Sequence, residues 1–340
     1  MARVGPVLRR AACRGPHRAN RAGERLQRSG CLYRGPGGDR VGFWAMGVQI
    51  SEALRDPRHF QIAVLALLLA HGALGLDFEI RPLVALGAAF SALASQLVFA
   101  RLWKLPGFDP RSALISALSL CLLLRTTSLS TALLAGFLAI ASKFLLRFRG
   151  KHCFNPTAFA LVGVLLLTDD AWVSAGQWGA APLLGLAVAG FGSLVLWRAR
   201  RSDVTWAFIG SYTLLLFGRA LWLGDPLAIP LHAMKSGAFL IFAFLMISDP
   251  RTTPDSRVGR IVFAALVAAG ALFIRFELYH TNALIWSLVI CAPLVPLLDL
   301  LFQGDRYAWS DFPRKHHHGG RINAEKGDLG SLLPGCGAAG

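Results

Sequence analysis

The sequence has few of the features that mark soluble enzymes or nucleic-acid binders. No GxxxxGK[ST] loop, strand-led GxGxxG, GxSxG elbow or HExxH pair occurs, which leaves no sequence handle for nucleotide, serine-hydrolase or zinc-protease chemistry. The cysteines Cys13, Cys31, Cys121, Cys153, Cys291 and Cys336 never fall at CxxC or comparable metal spacing, so they read as small apolar residues and not as a disulfide or cluster framework. Charge is also scarce, at 16% of 340 residues against 54% hydrophobic, and mean hydropathy is +0.51. A soluble domain of this size carries more charge in shorter apolar runs, so the class is all-α polytopic membrane protein. The net charge of +16 sits in an arginine-rich N-terminal tail and in loops on one side of the expected membrane, which excludes nucleic acid as a partner and makes lipid the surroundings.

Residues 1–45 hold ten arginines, no lysine and a single serine, Ser29, with no apolar core for a signal peptide. Two readings stand: an organellar transit peptide, or an over-extended start with Met46 as the true initiator. Either way a disordered tail is expected, as it is for residues 304–340, whose His316-His317-His318 reads as solvated. Between them, residues 46–303 form the membrane domain. Its ten apolar segments run at about 61–76, 82–100, 112–124, 129–147, 154–168, 180–198, 204–223, 231–247, 259–276 and 281–302. A spanning helix needs about 20 apolar residues. The segments 112–124, 154–168 and 231–247 fall short of that, as half-helices near a site do.

The loops fix an expected topology. Alternate loops carry eighteen basic residues, from Arg55 and Arg58 to Arg314 and Lys315, and the others only Arg81, Arg125, Arg219 and Arg275. The positive-inside rule then places both termini in the cytoplasm, with an even number of crossings of the inner membrane. Five segments per half, about 61–168 and 180–302, enter from opposite sides. Arg-Thr-Thr recurs at the ends of segments three (Arg125-Thr126-Thr127) and eight (Arg251-Thr252-Thr253). That recurrence predicts two inverted five-helix repeats around a central site.

Three constellations are candidates for binding. At the two joints, Arg125 and Thr126, and Asp249, Arg251 and Thr252, either cap helix ends or surround a cofactor or ion with fixed charges. In the run Lys143 to Pro156, Arg147, Arg149, Lys151 and His152 anchor topology, while Asn155 and Pro156 cap a short helix whose positive end then faces a ligand. Lys235, with His232, is an intramembrane candidate, against which stands snorkelling to an interface.

Over about residues 50–303, the stretches SKFLLRFRGKHCFNPTAFALVG (142–163), DDAWVSAGQWG (169–179) and MISDPRTTP (246–254) resemble the RnfD/NqrB family, as a divergent short member. The resemblance implies ten helices in inverted repeats and a membrane subunit of an electron transport complex, with other subunits as partners and possible Na⁺ or H⁺ translocation. It also implies flavin (FMN or riboflavin). The family's attachment threonine aligns with Ala181, and no threonine lies between Asp169 and Arg201, so the expected flavin is non-covalent. The alternatives are a transporter or channel without a redox role, and a membrane accessory protein of an enediyne-type biosynthetic pathway.

Overall fold

A computed structural model describes residues 56–75, 80–105, 107–174, 189–190, 192–193 and 202–307. The first half contributes α1 (Pro57–Gly75), α2 (Pro82–Leu102), α3 (Arg111–Leu123), α4 (Leu129–Leu145) and α5 (Pro156–Leu167). The second contributes α6 (Ser202–Leu223), α7 (Ala228–Met234), α8 (Gly237–Ile241) running into a π-helical segment (Phe242–Met246), α9 (Arg257–Phe276), α10 (Ala283–Cys291) and α11 (Val295–Leu301). Two small antiparallel ladders complete the fold. Strand β1 (Leu124–Thr126) pairs with β4 (Ala171–Val173), and β2 (Arg147–Phe148) with β3 (Lys151–His152).

The chain is a multi-pass, all-α membrane protein. Among the described residues, five helices are long and apolar enough to span a bilayer. A sixth span follows if α7 and the α8–π run, which meet at a 53° bend, count as one. The segments expected to be short are short: α3, α5 and the broken α7–α8 element, and α4 is shorter than its expected range. The expected segment 180–198 lies outside the described residues, apart from isolated positions.

Local chemistry explains the helix starts. Proline opens α2 and α5, and the side chains of Ser128, Asn155, Ser236 and Ser256 each accept a backbone N–H of the helix that follows. In the interior, small residues let helices touch, as expected where lipid tails are as apolar as leucine. Gly136 of α4 lies so close to α2 that a Cβ there would sit 2.5 Å from the Ala88 carbonyl, and Ser91 Oγ donates to the Leu133 carbonyl at 2.6 Å. Leu74, Leu83, Phe90, Leu214 and Leu221 point outward, as a lipid-facing surface requires.

Loop-to-loop contacts follow the charge alternation. Arg58 reaches Asp109, Lys151 bridges Asp255 and Asp299, and Arg260 pairs with Asp203. All these residues lie in the basic set of loops or on the helix ends that adjoin them. In the opposite set, Thr126 bonds Asp170 and Arg219 pairs with Asp225. The bundle therefore has a basic end and a far end.

Candidate functional site

The site at the basic end is assembled from three elements. The last turn of α4 carries Lys143, buried, whose Nζ donates to the carbonyl and hydroxyl of Ser112 at 2.7 and 3.0 Å. The β2–β3 hairpin follows, turning through Arg149 and Gly150 at positive φ, which sets Arg147 opposite His152. Asn155 then bridges two helix ends. Its Oδ1 accepts from Ala158 N at 3.1 Å, capping α5, and its Nδ2 donates to the Met246 carbonyl at 3.1 Å.

The π segment that receives this bond is the irregular heart of the site. A π turn displaces carbonyls from α-helical register, and such bulges recur at functional positions. Here four successive carbonyls find side-chain donors. Thr205 Oγ1 serves Ala243 at 2.8 Å, Ser248 Oγ serves Phe244 at 2.7 Å, Gln61 Nε2 approaches Leu245 at 3.5 Å, and Asn155 serves Met246. Beyond it the chain turns sharply at Asp249-Pro250. Asp249 Oδ1 accepts from Arg251 N at 3.0 Å, and the Asp249 carbonyl accepts from the Thr252 and Thr253 hydroxyls at 3.3 and 3.2 Å.

These pieces enclose a cavity of about 230 Å³. Five of the residues expected at a site line it together: Lys143, Asn155, Pro156, Asp249 and Arg251. Thr252 is buried in the adjoining turn. Arg58, Asp109, Arg147, Gln96 and His152 also line the cavity, and sequence reasoning gave no signal for Gln96. Two buried side-chain atoms there, Gln96 Oε1 and His152 Nδ1, have no hydrogen-bond partner among the described residues. Burial, reinforced by Arg251, Arg147 and Lys143, pushes His152 down to about 3, so it stays neutral. At the mouth, Arg58 and Arg111 each bind both Asp56 and Asp109. Partial burial raises Asp109, but hydrogen bonds from Arg111 and the two guanidinium charges outweigh it, leaving the carboxyl at about 2.

The other expected residues lie elsewhere. Arg125 and Thr126 sit at the far end, where the Arg125 guanidinium donates to the Cys121 and Leu124 carbonyls at 3.0 Å each and Thr126 Oγ1 donates to Asp170 at 2.6 Å. They border a separate hollow with Arg81 and Trp172. Lys235 ends α7 and is exposed, away from the cavity. Ala181 falls outside the described residues. A further cavity of about 420 Å³ opens at the far end, and Met246 lines both it and the basic-end cavity.

Residues 167–308 match the NQR2, RnfD, RnfE family. Among curated proteins the chain is similar to the D subunit of the ion-translocating oxidoreductase complex of Tolumonas auensis, 36% identical over 80 residues covering 24% of this chain and 23% of that protein. The protein of the same name from Cronobacter sakazakii is 30% identical over 138 residues, 37% of this chain and 39% of that protein. That of Escherichia coli O1:K1 is 29% identical over 132 residues, 38% and 32%. The chain thus spans between about a quarter and two fifths of the length of these relatives. The motifs at 169–179 and 246–254 fall within the matched stretch, and over residues 167–308 the chain is similar to the RnfD/NqrB family.

Proposed function

We propose that the chain is a membrane subunit of an ion-translocating electron transport complex, holding a flavin without a covalent bond in the basic-end cavity. The observation that carries this reading is the convergence of the two family-like joints, Asn155-Pro156 and Asp249-Pro250-Arg251, on one charged cavity inside a membrane bundle. The relatives' names suggest the complex, and the family resemblance suggests the flavin.

The residues present fit such a group. Phe144 and Phe244 offer aromatic walls, and Lys143, Arg147 and Arg251 offer cations for ring carbonyls. Gln96 Oε1 and His152 Nδ1 are waiting acceptors for a ring N–H. The volume is below the about 300–1,000 Å³ of small-molecule sites, so a bound flavin has to extend through the mouth. When bound, flavin supplies one- and two-electron transfer. This chain's contribution is to orient the ring and to set the charge around it. Lys143 is held by Ser112, and Asn155 fixes the α5 terminus and the π segment relative to each other.

The two inverted repeats belong to the same reading. The helix pairs α2–α4 and α4–α5 are in contact in the first half, and α6–α9 and α9–α10 in the second, as such repeats would require. Both termini on the cytoplasmic side of the inner membrane follow from the basic end by the positive-inside rule. Equilibrium titration of the flavin-depleted, purified chain with FMN and with riboflavin tests the site. Saturable binding that weakens at least tenfold in Arg251→Gln and Lys143→Met supports it. Equal binding by all three proteins sinks it.

One observation favours a second reading, passage of an ion through the bundle: cavities from the two ends share Met246 as a wall. Proteoliposomes loaded with ²²Na⁺ or a pH dye separate the readings. Transport without bound flavin favours a channel or transporter.

A further inference from the structure

The far-end cavity has a chemistry of its own, independent of the flavin reading. Its deep part is apolar, walled by Phe239, Phe242, Met246 and Ile285, with Tyr212 midway along α6. Aromatic contacts back this wall: Tyr212 stacks on Phe208 and packs tilted against Phe239, with centroids 5.6 and 5.5 Å apart. Its rim is the loop joining α9 to α10, together with Arg275 from the last turn of α9. Two residues of that loop which line the cavity, Tyr279 and Asn282, hold φ of 53° and 58°. Non-glycine residues in that region cost energy and cluster at ligand clamps.

Charge selects the occupant. Arg275 and His280 stand at the rim, and no carboxylate lines the cavity among the described residues; Glu277, in the same loop, does not line it. A cation entering here meets Arg275 and no carboxylate in the described lining, so the cavity disfavours cationic cargo. A volume of about 420 Å³ falls within the range of small-molecule sites. We infer that this cavity binds an anionic amphiphile from the membrane. Its acyl chain lies among Phe239, Phe242, Met246 and Ile285, and its carboxylate or phosphate head lies at Arg275 and His280. The relatives' names point to no such site.

The probe is cis-parinaric acid, a fluorescent C18 carboxylic acid, added to the full chain in detergent. Its methyl ester and a C18 alkyl amine serve as competitors, and a dioleoyl phosphatidate competitor distinguishes a phospholipid source from a free acid. The expected result is one saturable site per chain, where the acid binds about tenfold tighter than the ester, as a charge-assisted contact implies. That preference disappears in Arg275→Gln, and Ala238→Trp, which fills the cavity, abolishes binding. Displacement by phosphatidate at lower concentration than by oleate assigns the head as a phosphate, and the reverse order a carboxylate. Non-saturable partitioning, an unchanged acid-to-ester ratio in Arg275→Gln, or competition by the amine as strong as by the acid overturns the inference. If Ala238→Trp does not fold, the acid-to-ester comparison in wild type and Arg275→Gln decides alone.

Discussion

Asn155 offers the sharpest test of how the basic-end site is built. Its amide makes two bonds of different kind, both 3.1 Å long, and the residue is 7% exposed. Asn155→Ala removes the cap from α5, worth about 0.5–2 kcal/mol. It also takes from the Met246 carbonyl its shorter bond, leaving only the 3.4 Å contact from Asp249 N, at a cost of about 0.5–1.5 kcal/mol for a lost hydrogen bond. The sum, about 1–3.5 kcal/mol, corresponds to a fall in unfolding temperature of about 1–5 °C for a chain this size. Asn155→Ser keeps an acceptor for the Ala158 N–H but cannot reach Met246, so it loses only the second contribution. Thermal unfolding of the purified protein in detergent, followed by circular dichroism, should rank wild type above Asn155→Ser and Asn155→Ala lowest. Identical unfolding temperatures for all three would refute the bridge between the two helix ends.

Other predictions concern separate parts of the molecule. Gly136→Leu should destabilise by about 1–3 kcal/mol or more, because even a Cβ there meets the Ala88 carbonyl at 2.5 Å and the Ala92 nitrogen at 2.9 Å, and unfolding in denaturant would report it. Lys151→Met leaves Asp255 and Asp299, previously 2.9 and 2.8 Å from its ammonium, without that partner. It should lower stability clearly, and adding Asp299→Asn should recover part of the loss. His152 is held at about 3 in the fold against an ordinary 6.5, so the unfolded chain binds a proton that the folded one refuses between those values. Stability should therefore fall as pH drops from about 6.5 toward 3, and His152→Gln should flatten that slope in a pH series of unfolding midpoints. Asp109, held at about 2 against 3.8, contributes stability that is complete above pH 4 and lost as pH falls toward 2. Asp109→Asn should remove that acid limb.

Much of the bundle was legible because apolar length and local capping are sequence properties. The Asn155-Pro156 start of α5 came from backbone chemistry within a few residues and appears as expected. The alternation of basic loops likewise survives as two sets of loop contacts. The π register was not legible. It depends on Gln61, Asn155 and Thr205 meeting carbonyls 184, 91 and 38 residues away, and no local pattern encodes such pairings. Nor could the repeated Arg-Thr-Thr reveal its roles. At one joint the Arg125 guanidinium caps α3 and Thr126 holds Asp170; at the other the threonine hydroxyls bond the Asp249 carbonyl and Arg251 lines the cavity. The same tripeptide does different work because one copy follows a helix that passes into a strand and the other follows a π segment.

The most direct test of the central claim is the flavin content of the chain purified from its native membrane, measured before and after acid precipitation. Flavin close to one equivalent, released into the supernatant, is expected, since residues 169–201 offer no threonine to hold it covalently. A folded, native-membrane preparation with no flavin, or with flavin that stays in the pellet, would contradict it.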